Sequence, residues 1–386
     1  MIYLDNASTT PIHPDVLEAM RPYLTDEYAN PGTIYSFGRK AKKAIDKART
    51  QVADFMGAEP EQMIFTSGGT EANNTVYSSV CDILKAVGKT HIITTKVEHD
   101  SVIRSVNKMC IKQGFDVTFA DVTAQGFVEP HSIENAITDK TGLVSVMYVN
   151  NETGAENPVE DIGKLCREHN ILFHTDCVQA AGSFKLDVKK IGCDFASISS
   201  HKIHGPKGIG ALFVKDKSLI TPIIYGGAEQ EFGLRGGTEN VPAIAGFGKA
   251  CEIVSSRINT IDKQTSLLKQ LFYGVLIEEL KTCGLENIVH INGDSIIKHG
   301  KILNIRFDKV DGETLLLMLD AKNICVSAGS ACRSHESEPS NVLLTMGLSP
   351  DEARNAIRIS FSMLTESDEV ITAAKVMADC VKILHN

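Results

Sequence analysis

The sequence predicts an α/β protein, a large unit on a mainly parallel sheet joined to a smaller α+β unit, and two observations carry that prediction. Short apolar runs alternate with amphipathic segments over the first two thirds of the chain, the pattern of strands linked by helices over a sheet. From about residue 241 a long helical stretch takes over, and the strands that follow are fewer.

In order along the chain, strands are expected over 63–66, 91–95, 117–120, 143–149, 171–175, 195–199 and 211–214. Helices fit 71–86, 101–112 and 159–169 between them, then 241–280. Strands over 301–307, 323–327 and 356–361 complete the smaller unit. At 386 residues the chain exceeds one ordinary domain, yet no repeat, low-complexity tract or Pro-rich linker marks a border. The expected division is 15–255 for the large unit, with 1–14 and 256–386 forming the small one.

Composition narrows the function. Apolar residues at 43% and charged residues at 23% describe a globular chain that can bury a core. A net charge of −9 without a long basic run argues against direct nucleic-acid binding. The first residues carry no basic segment followed by an apolar one, and no stretch of about 18 apolar residues occurs, so a cytoplasmic protein off the membrane is expected. Ten cysteines without a C-x-x-C pair suggest neither a disulfide framework nor a zinc site. Most are read as reduced structural thiols, Cys325 in its apolar run among them.

In open parallel sheets ligands collect beyond the carboxyl ends of the strands. Ser67-Gly68-Gly69-Thr70-Glu71 opens a helix after the first apolar run, and small residues there expose backbone N–H groups as an anion cradle, although the same turn also serves as a plain cap. Asp176 follows the run 171–175, with Gln179 three residues on. Ser199, His201 and Lys202 follow 195–199 and precede the glycine-rich 205–210. A lysine held there is shielded from water, and a neutral amine is what forms a Schiff base. His99 follows 91–95. Cys332 lies in the small, polar stretch SAGSACRS beside Arg333, which favours the nucleophilic thiolate.

Together these places describe a pyridoxal-phosphate site, and the segments TSGGTEANN (66–74), EHDSV (98–102), VNNETG (149–154), HTDCVQAAG (174–182), SSHKIHGPKGIG (199–210), LRGGTENV (234–241) and GSAC (329–332) carry a specific resemblance. In that order, and over nearly the whole chain, they resemble the NifS/IscS-like cysteine desulfurases. The resemblance implies a fold-type-I pyridoxal 5'-phosphate enzyme with Lys202 as internal aldimine, Asp176 facing the pyridine nitrogen, Gln179 donating to the phenolic oxygen and His99 stacked on the ring. It implies that Gly69, Thr70, Ser199 and His201 cradle the phosphate and that Asn150 lies near the phenolic oxygen and the substrate carboxylate. Thr238 would reach the phosphate from a partner subunit of a homodimer, and Arg358 would grip the carboxylate of the substrate, L-cysteine. Cys332 would take the substrate sulfur as a persulfide, leaving alanine, and pass it to an acceptor protein such as an iron–sulfur scaffold; no metal is implied.

The chain departs from the family at Tyr35, where a histidine is usual, and at Ser362, where a glycine often stands. These changes bear on rate and acceptor choice more than on chemistry. A selenocysteine lyase or an aminotransferase on the same fold would share the cofactor site, the latter without needing the thiol. A non-catalytic subunit would need none of these side chains. After the helical stretch 368–385 there is no further tail of the kind used for docking scaffolds, so the acceptor stays open among iron–sulfur clusters, thiolated tRNA and other cofactors.

Overall fold

Each apolar run carries backbone donors and acceptors that burial would strand, so the runs pair edge to edge. The computed structural model describes residues 1–227, 229–294, 300–328 and 339–385. After a short β1 (Ile2–Tyr3) come β2 (Met63–Thr66), β3 (His91–Thr95), β4 (Asp116–Ala120), β5 (Thr141–Ser145), β6 (Leu172–Asp176), β7 (Phe195–Ser199) and β8 (Gly210–Val214). The last seven form one sheet in the order β2-β8-β7-β6-β5-β3-β4. From β4 across to β7 all neighbours are parallel. Strand β8 runs antiparallel to both β7 and β2, so β2 points the same way as β7.

Alternation along the strands divides the core between the two faces of the sheet. Ile92, Leu143 and Leu212 pack with Val76, Val80 and Leu84 of the helix Gly69–Ala86. Their chain neighbours Ile93, Val144 and Phe213 join Ile45 and Val52 of the helix Ser36–Met56. That helix stops at Gly57, whose φ of 67° is a left-handed turn that glycine adopts without strain. The helix expected over 101–112 instead shortens to Asp100–Ser105, and a wider π turn, Val106–Cys110, carries the chain onward.

The second sheet is antiparallel, in the order β12-β13-β10-β9, from β9 (Val289–Asn292), β10 (Ile302–Phe307), β12 (Ser327–Ala328) and β13 (Ala356–Ser360). The run expected as one strand over 323–327 serves two sheets: β11 (Ile324–Cys325) pairs in parallel with β1, and after Val326 the chain joins β13. Cys325 is half-buried there rather than sealed in the core. The 41-residue helix Val241–Lys281 links the cores. Its first half contributes Ile244, Phe247 and Val254 to the large core, and its second half places Leu268, Phe272, Leu276 and Leu280 with Leu4 in the small one. Among the described residues no helix is long and apolar enough to cross a membrane.

Candidate active site

The carboxyl ends of β2, β6 and β7, with the segments that follow β3 and β5, converge on a cavity of about 600 Å³, the size of a pocket for a small molecule. Gly69, Thr70, His99, Asp176 and Gln179 line it from one set of strand ends. Ser199, His201, Lys202 and Arg358 close it from the other. The helix Gly69–Ala86 starts at the wall of this cavity, so its free N–H groups and dipole favour an anion there. The cradle is tight because Gly210 packs against it: a Cβ on Gly210 would sit 2.7 Å from the Cα of Gly68 and 2.6 Å from Ile198 O.

Asp176 is 5% exposed and its two oxygens are separately engaged. One accepts from Val178 N at 2.9 Å and the other from Asn73 Nδ2 at 2.8 Å. Asn73 also donates to Ser101 Oγ at 2.9 Å, and that hydroxyl lies 2.8 Å from His99 Nδ1. A continuous polar chain therefore joins the carboxylate to the imidazole. Behind it, burial pushes the His174 imidazole down to about 4, against the attraction of Asp176.

Lys202 Nζ donates to Ala7 O at 2.6 Å and Ser8 O at 2.7 Å, so the N-terminal segment meets the site directly. Burial, and then the charges of Lys202, Lys207 and Lys301, push His201 down to about 4. Arg358 is 2% exposed. Its Nη2 donates to Asp5 at 2.8 Å and to Ser8 Oγ at 2.7 Å, and its Nη1 to Asn151 O at 2.8 Å. Its buried Nε is left without a partner.

Two expected placements differ. The Asn150 side chain does not reach the cavity: its Nδ2 donates to Val97 O at 2.9 Å, and its Oδ1 accepts from Glu152 N and Thr153 N, each at 2.9 Å. Those bonds hold the turn together and consume the amide, and it is Asn151 that lines the cavity. Gln179 is present at the wall, but its Nε2 is engaged by Ala7 O at 2.8 Å, and the unpartnered atom is its Oε1. Thr238 lies on an exposed loop ahead of the helix Val241–Lys281 and does not line this cavity. Cys332 falls outside the described residues. The strand that leads to it is placed, however, with Ser327 of β12 opposite Arg358 of β13.

The family model described as Aminotransferase class-V matches residues 2–372. A protein named cysteine desulfurase IscS, from Methanosarcina thermophila, is 40% identical over 385 residues, covering 100% of this chain and 93% of its own. The chain belongs to the cysteine desulfurases of the class-V aminotransferase family. Solved structures agree with membership among the cysteine desulfurases. A NifS-like protein superimposes with a TM-score of 0.90 at 33% identity, covering 99% of this chain and 100% of the other. A structure described as SspA in complex with cysteine gives 0.78 at 34% identity, covering 94% and 99%. The fold is thus the type-I fold that the resemblance implied.

Several site residues of this desulfurase fold escaped the sequence reading. Asn73 lies one helical turn beyond Gly69 and Thr70, so the three share a face, and that spacing is the signal that finds it. Glu98 lines the cavity and accepts from Met147 N at 2.9 and 3.1 Å. Burial first, and then the Asp176 charge, raise its carboxyl to about 8 despite those bonds. Asp5 and Ser8 lie in the N-terminal segment, and no local pattern marks a residue that meets Arg358 across more than three hundred positions.

Proposed function

We propose that the cavity binds pyridoxal 5'-phosphate and L-cysteine, and that the chain moves the substrate sulfur onto Cys332 as a persulfide, releasing alanine. The observation that carries this reading is the convergence of Lys202, Asp176, His99 and Arg358 on one cavity beside an anion cradle. The residues fit the cofactor on the structure's own terms. A Cβ on Gly69 would meet Val178 Cγ2 at 2.7 Å, so only glycine leaves the cradle its shape, and buried polar atoms of Asn73, Gln179 and Arg358 lack protein partners.

When bound, pyridoxal phosphate supplies an electron sink conjugated to the substrate's α carbon. Gly69, Thr70, Ser199 and His201 would hold its phosphate, Asp176 its ring nitrogen, and His99 its ring face. Gln179 would turn its amide to donate to the phenolic oxygen, leaving Ala7 O to another donor. Lys202 would anchor the aldehyde carbon and, once displaced by substrate, move the Cα proton through Nζ. Arg358 would take the substrate carboxylate in the planar two-donor geometry that suits it. The Cys332 thiolate would then attack the substrate sulfur: an S–S bond forms, the substrate C–S bond breaks, and that electron pair with a proton completes alanine.

Two further parts belong to this reading. Thr238 would complete the phosphate site of a second copy, and the exposed Tyr28, Ile34 and Tyr225, 73%, 91% and 85% accessible, are apolar surface suited to such a homodimer. The separate cores support 15–255 as the cofactor unit, with 1–14 and 256–386 forming the unit that leads to Cys332. The sulfur would pass to an acceptor protein, an iron–sulfur scaffold among the candidates, in a cytoplasmic setting. The deciding experiment supplies L-cysteine and quantifies alanine and protein-bound sulfane sulfur together, followed by mass spectrometry of the Cys332 peptide. Equal amounts of both, with one sulfur added to that peptide, are expected. Alanine formed only with an added keto acid would indicate an aminotransferase, and strong preference for selenocysteine a lyase.

A further inference from the structure

Lys301 immediately precedes β10 and turns its side chain beneath the segment that presents Lys202. Its Nζ lies 3.4 Å from Lys202 O and 3.5 Å from Ala181 O, and the residue is only 6% exposed. Among the described residues it makes no ion pair with a carboxylate. A buried ammonium served by two long contacts to carbonyls is costly, and neither the large core nor the small one needs a cation at this point. Its backbone is fixed by the sheet, since Phe361 N donates to Lys301 O at 2.9 Å.

The surroundings on every side are mostly cationic or neutral. From the segment after β7 come His201, Lys202 and His204. His13, in the N-terminal segment, faces His204. From the helix Val241–Lys281 comes Thr265, whose hydroxyl is spent on Ile261 O at 3.0 Å. Among the described residues Asp262 of that helix, which accepts from Gly300 N at 3.3 Å, and Asp294 bring carboxylates to the Lys269 end of this region. Lys202, Lys301, His204, Thr265 and Ser362 border a small cavity of about 20 Å³, and among the described residues no carboxylate lines it.

We propose that Lys301 is a positioning residue for the reaction: it braces the Lys202 backbone from below, and its charge keeps a proton off the Lys202 nitrogen. This rests on the reading of Lys202 as the cofactor-anchoring lysine. The physical basis is reciprocal: two amines that repel each other's protons cannot both be fully charged, and each lowers the proton affinity of the other. In keeping with this, burial and then the Lys202 charge bring Lys301 down to about 7. The consequence for chemistry is a Lys202 amine available as nucleophile and base near neutral pH.

The test uses the pyridoxal-phosphate-loaded protein and follows its visible absorbance as a function of pH. Lys301→Met keeps the apolar stem and removes the charge. The titration midpoint of the lysine-bound cofactor is expected to rise by about one pH unit, a tenfold change in proton affinity. Lys301→Arg, a permanent cation, is expected to lower it. A Lys301→Met protein with wild-type thermal stability and an unmoved midpoint overturns the inference. Where Lys301→Met fails to fold, Lys301→Arg decides alone, and a midpoint unchanged or raised overturns it. Failure of the underlying reading is distinct: Lys202→Ala would then keep both the pH-dependent band and a borohydride-fixed cofactor on the polypeptide.

Discussion

Asn73 Nδ2 donates to Asp176 Oδ2 at 2.8 Å, and both side chains are almost wholly buried, at 1% and 5% exposure. Together with the bond from Val178 N to the other oxygen, it fixes the orientation of the carboxylate at the cavity wall. Removing the donor leaves a buried acceptor unsatisfied, which costs about 1–3 kcal/mol. Asn73→Ala is therefore expected to lower kcat/KM for cysteine about tenfold and to weaken cofactor retention, with Asn73→Asp worse because it sets a second negative charge against Asp176. Steady-state kinetics with cofactor occupancy from visible absorbance check this; an Asn73→Ala protein equal to wild type in both would remove Asn73 from the site.

Lys202 and Cys332 are expected to fail in different ways. Cys332→Ala should keep the cofactor's absorbance and bind cysteine, yet form no persulfide and release almost no alanine. Lys202→Ala should lose the covalent link and stall with substrate bound. Intact-protein mass spectrometry separates the two, and normal turnover by Lys202→Ala would end the assignment.

How much of this could be read from the chain alone depended on whether the decisive contact was local. Strands such as β2, β3 and β7 announced themselves because they are short runs made mainly of apolar, β-branched and small residues, and every position in them is buried, as in strands covered on both faces. Asp176 at the end of β6 and Lys202 just after β7 could be expected at the cavity they line because sheet geometry makes that edge the binding edge. The two-residue β1 was not, since it pairs with β11, more than three hundred residues away. Asn150 was misplaced for a related reason. Two adjacent asparagines look alike in sequence, and only the turn decides that the amide of the first is consumed by Glu152 N and Thr153 N. Lys301 was invisible altogether, because a lysine at the start of a strand is ordinarily solvated.

Arg358 gives a prediction about substrate rather than cofactor. Asp5, Ser8 Oγ and Asn151 O hold its guanidinium in one plane from three directions. A lysine there cannot reproduce that fork. Arg358→Lys is expected to raise KM for cysteine by about tenfold or more with a smaller fall in kcat, a loss of about 1.4 kcal/mol per decade. Asp5→Asn should move KM in the same direction by less, because the arginine stays but its bracing weakens. An Arg358→Lys protein that changes kcat alone would place the carboxylate site elsewhere.

Acid should destabilise the fold through its buried histidines, and the sign follows from their proton affinities. Burial lowers His174, His201 and His204 from 6.5 to about 4. Between those values the unfolded chain binds protons that the folded chain refuses, so stability is complete above about 6.5 and drains away as pH falls toward 4. The buried His174 and His204 each contribute up to about 1.4 kcal/mol per pH unit across that window, and the half-buried His201 less because solvent screens it. Glu98 works the other way, because its folded carboxyl, raised to about 8, keeps its proton while the unfolded one loses it near 4.5. Three histidines outweigh one carboxyl, so the net slope from pH 4.5 to 6.5 is positive. His174 offers the cleanest test, being wholly buried between Ser145 Oγ at 2.8 Å and Ser197 Oγ at 3.2 Å, with no place in the cavity lining. His174→Gln should lower stability at pH 7 while flattening the acid limb of a denaturant-unfolding series by roughly one histidine's share. An acid limb as steep as that of wild type would mean that His174 accepts its proton in the folded state, so that the site between Ser145 and Ser197 would carry a charge instead of a neutral ring.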